Sequence, residues 1–112
     1  MPEHFSIILM QSDVALRPDQ LRRVQAILRS HIPDREVRAF GSRVTGAHKQ
    51  TSDLDLCIMG ARRLLPSVLE RLRLAFSDST LPIRVDIVEW AALSPTFRSI
   101  VAAHSAAIQS PL

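Results

Sequence analysis

The sequence predicts an α/β fold in which a small mixed β-sheet is flanked by helices. Three observations predict it. Apolar residues at helical spacing follow Pro18, Pro66 and Pro95. Short apolar or alternating runs end at Gly41 and Gly60, and a third runs through Asp86. The two kinds of segment are interleaved along the chain, which favours helices packed on a sheet over a bundle or a sandwich. With 112 residues, 46% apolar and 22% charged, the chain is expected to form one domain, 1–112, around a single modest core.

The elements follow in order. The Phe5–Met10 run, FSIILM, reads either as a short strand or as an apolar arm within the first 16 residues, and the sequence leaves both open. Pro18 suits a first helical position with Asp19 in the first turn; Leu21, Val24, Ile27 and Leu28 form an apolar stripe ending near Ser30, before Pro33. Val37–Phe40 is a short strand stopped by Gly41. From Asp53 to Met59 the residues alternate, with Leu54, Leu56 and Ile58 on one side and Asp53, Asp55, Cys57 and Met59 on the other.

A second helix follows Pro66, with Val68, Leu69, Leu72 and Phe76 inward and Glu70, Arg71 and Arg73 outward. Ile83–Val88 is the third strand. Ser94-Pro95 reads as an N-cap followed by proline at the first helical position, and Phe97, Ile100, Val101 and His104 extend that helix toward Ile108.

Composition narrows the function classes. The pI of 10.4 suggests a strongly basic protein, yet the net charge is only +3. Thirteen of the fourteen basic residues are arginine, and with one lysine, one cysteine and no tyrosine little titrates between about pH 8 and 12. Direct nucleic-acid binding is therefore not expected, whereas small anions such as nucleotides are mildly favoured. No run is long enough to span a bilayer, and FSIILM lacks the flanks of a signal peptide, so a cytoplasmic location is expected. The lone Cys57 agrees with a reducing compartment.

The chemistry is concentrated in Phe40–Met59, FGSRVTGAHKQTSDLDLCIM, where ten residues separate Ser42 from Asp53. Asp53 and Asp55, two apart on a strand, share a face with Cα atoms roughly 6.5 Å apart. Such a pair can bracket divalent cations, which lie about 3.5–4 Å apart in two-metal sites. A third carboxylate from a neighbouring strand about 4.8 Å away would complete the cluster. Asp86 is the acidic residue placed to supply it, since Glu89 falls on the opposite face. Three such groups repel unless cations neutralise them, and magnesium suits their hard oxygens and shares substrate phosphates. Gly41 lets the backbone approach a ligand closely, so that the Gly41-Ser42 turn can hold the β- and γ-phosphates of a nucleoside triphosphate. The planar fork of Arg43 is expected to contact phosphate as well. His4, His31, His48 and His104 lack zinc spacing.

GSRxxG, then SDLDL, then VD in a later strand resembles the minimal nucleotidyltransferase family, of the polymerase-beta-like superfamily, from about Pro18 to Ile108. The resemblance implies a magnesium-dependent enzyme with two ions and ATP as substrate. Carried over, Gly41 and Ser42 would bind the triphosphate, and Asp53, Asp55 and Asp86 would bind metal and be catalytic; beside the resemblance, Arg43 and Ser52 are also expected to contact the nucleotide. Members of this family are often paired with a helical HEPN ribonuclease toxin, and some transfer AMP to a tyrosine of that partner and so act as its antitoxin. That pairing is the expected function; self-association is left open. The resemblance departs at His104-Ser105, where the family often reads Glu-Gly, which bears on partner contacts rather than catalysis.

Plainer readings stand beside these. Asp53 and Asp55 alone would pass as polar strand-start residues, Asp86 as an ion-pair partner of Arg84 or Arg38, Arg43 as a surface charge, Cys57 as a core residue and His104 as a boundary residue. Two rival functions follow: a binding antitoxin or nucleotide-sensing module without catalysis, and a small-molecule nucleotidyltransferase of the aminoglycoside-modifying type, which the chain's size disfavours.

Overall fold

A computed structural model describes residues 13–112 of the chain. The Phe5–Met10 run lies outside the described residues. In order, the elements are α1 (Pro18–His31), β1 (Val37–Phe40), a single turn α2 (Ser42–Thr45), β2 (Leu54–Ile58), α3 (Pro66–Ser77), β3 (Val85–Glu89), a 3-10 turn (Trp90–Ala92), α4 (Pro95–Ala103) and β4 (Ala106–Gln109). The strands form one mixed sheet in the order β3-β2-β1-β4. β1 runs antiparallel to both β2 and β4, whereas β2 and β3 are parallel and joined by α3. This is the α/β architecture expected of the sequence.

Local chemistry explains the boundaries. α1, α3 and α4 each begin with proline, whose fixed φ suits the first turn and whose missing N–H is an orphan there. The Arg17 amide donates to Gln20 Oε1 (3.0 Å), and the Phe97 amide donates to Ser94 Oγ (3.2 Å), so side chains take up otherwise unpaired donors. Asp19 in the first turn of α1 and Arg29 and His31 in its last complement the helix dipole.

Alternation along β2 sorts the sheet into two faces. Leu54, Leu56 and Ile58 join Val37, Ala39, Ile87 and Ala106 under Val24 and Leu28 of α1 and Leu72 and Phe76 of α3. Burying each such leucine contributes roughly 1.5–3 kcal/mol. On the other face Phe40 and Cys57 pack with Val101 of α4, and the Phe40 and Phe97 rings meet edge to face at 5.8 Å. The side chains of Asp55 and Asp86 also point to this second face, away from α1 and α3.

The expected continuation of the last helix toward Ile108 is corrected. α4 ends at Ala103, and Ala106–Gln109 is a strand paired with β1. Ala106 and Ile108 enter the core and Ala107 is exposed, a period of two that occupies the free edge of β1. Arg38 donates to Ser105 Oγ (2.7 Å), and Gln109 Nε2 donates to the carbonyls of Ile32 (2.8 Å) and Arg35 (3.0 Å), which fixes both ends of the strand. The third strand starts at Val85 rather than Ile83, because its ladder begins where Val85 meets Leu54.

Candidate active site

β1 ends at Gly41, whose φ of 79° and ψ of −158° lie where residues with a side chain are essentially not found. The chain then turns directly into α2, starting at Ser42, and Gly46 closes that turn in the left-handed conformation. The first amides of a helical turn have no partner within it, so this end presents N–H donors. Ser42 itself is partly buried.

Asp53 immediately precedes β2 and Asp55 is its second residue, so the two side chains share a face. Asp86 is the register partner of Asp55 across the parallel pair. Burial first, then the charges of Asp86 and Asp53, raise the pKa of the Asp55 carboxyl above its ordinary value. The charges of Asp86 and Asp53 thus both act on Asp55. Glu89 is directed elsewhere: its Oε2 accepts from the Leu64 amide at 2.7 Å.

A cation is the natural complement of such a group. The donors are hard carboxylate oxygens, the kind magnesium takes, and the mutual repulsion at Asp55 is what a divalent ion would relieve. Nevertheless, among the described residues no three His, Cys, Asp or Glu side chains converge into a ready-made metal-binding group. Asp86 Oδ1 instead lies 3.6 Å from Arg84 Nε, so a guanidinium supplies the neighbouring positive charge. The residues fit magnesium in kind and in placement on one face.

Asp55 and Asp86, though not Asp53, border a cleft of about 650 Å³ whose walls also include Phe40, Arg73, Arg84 and Phe97. Sequence reasoning missed several of these. Arg73, read as an outward residue of α3, reaches across to the Ile87 carbonyl (3.4 Å) and lines the cleft. Arg84, expected from the sequence only as an ion-pair partner of Asp86, lies two residues before it on the same face and so enters the cleft wall as well. The place of Phe97 depends on how α4 packs, which no local signal encodes.

Two nucleotide-binding expectations are redirected. Arg43 is 6% exposed, and its guanidinium donates to the carbonyls of Ala15 (2.7 Å), Ser52 (2.9 Å), Gln50 (2.9 Å) and Lys49 (3.3 Å). Its fork is taken up by the protein's own backbone rather than held out toward a phosphate. Ser52 Oγ accepts from the Lys49 amide (2.8 Å) while the Ser52 amide donates to the Lys49 carbonyl (3.0 Å). Its hydroxyl closes the turn that delivers Asp53. Cys57 is fully buried, and burial pushes its thiol up to about 11, which suits a packing role.

Comparison with known proteins adds independent findings. A family model described as "Nucleotidyltransferase domain" matches residues 21–108. The probable protein adenylyltransferase MntA of Haemophilus influenzae is 45% identical over 86 residues, covering 77% of this chain and 75% of that protein. Among solved structures, a chain in the crystal structure of a toxin–antitoxin with AMP-PNP superposes with a TM-score of 0.67 at 23% identity, covering 80% of this chain and 73% of that one. A chain in the complex of a tri-AMPylated Shewanella oneidensis HEPN toxin with MNT antitoxin superposes with a TM-score of 0.63 at 20% identity, covering 85% and 73%. At those identities the structural likenesses establish the fold.

Proposed function

This chain belongs to the nucleotidyltransferase domain family, and we propose that it is a protein adenylyltransferase that transfers AMP from ATP to a tyrosine of a HEPN-type toxin, acting as its antitoxin in the cytoplasm. The observation that carries this reading is the pairing of Asp55 with Asp86 on one face, with Asp53 beside them and the Gly41 turn against Asp55. The 45%-identical relative, named for protein adenylyl transfer, supports the reaction class. The solved complexes of related fold, which join an MNT antitoxin to a HEPN toxin, support the partner.

In this reading Gly41 and Ser42 hold the triphosphate, with backbone donors at the start of α2 facing its oxygens. The acceptor oxygen forms a bond to the α-phosphorus, the bond from that phosphorus to the bridging oxygen breaks, and pyrophosphate departs. Asp86, which lines the cleft on β3, accepts the proton from the acceptor hydroxyl. Asp53, Asp55 and Asp86 would hold two magnesium ions, whose chemistry is to neutralise the phosphates and stabilise charge developing on them. The wall formed by Phe40 and Phe97 orients the acceptor and limits water.

The test is transfer of α-phosphate label from ATP to a cognate HEPN protein in magnesium. Label is expected with the wild-type chain and is lost with Asp53→Ala, with Asp55→Ala and on chelation of the metal. Equal labelling by the aspartate variants overturns the catalytic reading. A second reading has the chain neutralise its partner by contact alone. Toxin neutralisation in cells that survives Asp53→Asn would establish it.

A further inference from the structure

We propose that Arg43 is a positioning residue that holds the Gly41-Ser42 turn in register with the loop carrying Asp53. The argument starts from an arginine in an unusual setting. Arg43 is 6% exposed, and its guanidinium is met by four backbone carbonyls rather than a carboxylate. A buried charge needs its donors satisfied, and a planar fork of five N–H groups can reach several fixed carbonyls at once where an ammonium cannot. The carbonyls come from three places in the chain: Ala15 before α1, Lys49 and Gln50 in the exposed loop, and Ser52 next to Asp53.

The backbone of Arg43 is tied as well, since its carbonyl accepts from the Ala15 amide at 2.7 Å. The segment before α1 is therefore bonded to Arg43 through both main chain and side chain. Residues 46–51 are exposed and bury no side chain in the core. The bonds within this loop, between Lys49 and Ser52, shape it without anchoring it to β1 or α2. The Arg43 guanidinium supplies that anchor. It joins the residue after Ser42 to the residue before Asp53, so the phosphate-binding turn and the first carboxylate move as one body.

This role rests on the adenylyltransferase reading for its catalytic consequence, but the anchoring itself can be measured without any ligand. A second arginine provides the control. Arg35 donates to the carbonyls of Met59 (3.1 Å) and Arg62, a similar staple beyond the opposite end of β2. Arg35→Ala is expected to lower the melting temperature and leave kcat within about twofold, because it lies away from the carboxylates.

Arg43→Ala and Arg43→Lys are expected to speed hydrogen exchange at residues 46–53 and 41–45 by tenfold or more, with β1 and β2 protected as in the wild type. Both should lower kcat by about 10- to 100-fold, the scale of a misplacement near 1 Å. Millimolar guanidinium should restore part of the activity of Arg43→Ala. Unchanged exchange at 46–53, or kcat within twofold of wild type, overturns the proposal. So does failure of both variants to fold, which would make Arg43 a determinant of the whole fold. If the wild-type chain transfers no label, the adenylyltransferase reading fails while the exchange measurement still decides the anchoring.

Discussion

Asp55 is pressed so closely against Gly41 that a Cβ at position 41 would overlap its Oδ2 and lie 3.3 Å from its Cγ. The glycine is therefore demanded twice, by its backbone angles and by the carboxylate beside it. The strand-ending turn and the acidic strand are thus in direct contact.

Gly41→Ala should therefore act on both stability and chemistry. The backbone conformation alone costs about 1–3 kcal/mol for a residue with a side chain. Displacement of Asp55 should additionally lower kcat by about 100-fold. Urea denaturation and steady-state transfer assays check the two effects. An alanine variant with wild-type activity would remove the close approach from the mechanism.

Asp55→Asn should stabilise the metal-free chain at alkaline pH. Because burial and the charges of Asp86 and Asp53 raise its folded pKa, the folded chain keeps a proton that the unfolded chain has released. Stability from this group is present below the unfolded value and is lost as pH rises through the folded one. In chelator, the variant should melt above wild type at alkaline pH, and the gap should close in acid, where Asp55 is protonated. Magnesium should narrow the gap by stabilising the wild type. A variant less stable at every pH would show that Asp55 carries no electrostatic penalty.

Arg84→Ala should leave stability within about 1 kcal/mol, because the Arg84–Asp86 pair is solvent-exposed. Its effect should appear instead in the cleft, where the apo chain loses the cation nearest Asp86. The magnesium dependence of transfer should shift while the melting temperature stays put. A large loss of stability would place Arg84 in the fold rather than the site.

Much of this was legible in the residues. Prolines ahead of apolar stripes mark α1, α3 and α4, and strict alternation in β2 assigns Leu54, Leu56 and Ile58 to the core and the aspartates to the other face. These are short-range properties, set by backbone sterics and by a period of two or 3.6 residues. Ala106–Gln109 was misread because so short an apolar stretch fits either period, and only the unpaired edge of β1 selects the strand. The setting of Arg43 is not legible locally, because an arginine after a glycine-serine turn has the chemistry of a phosphate ligand and nothing nearby announces the four carbonyls it donates to.

By itself, the sequence determined the fold class, the acidic face and the glycine turn, because each depends on residues a few positions apart. Only the tertiary structure decided how Asp86 lies beside Asp55, where Arg43 spends its hydrogen bonds, and which side chains wall the cleft. Those outcomes depend on groups distant in the chain meeting in space, where the available donors, acceptors and charges determine what each side chain does.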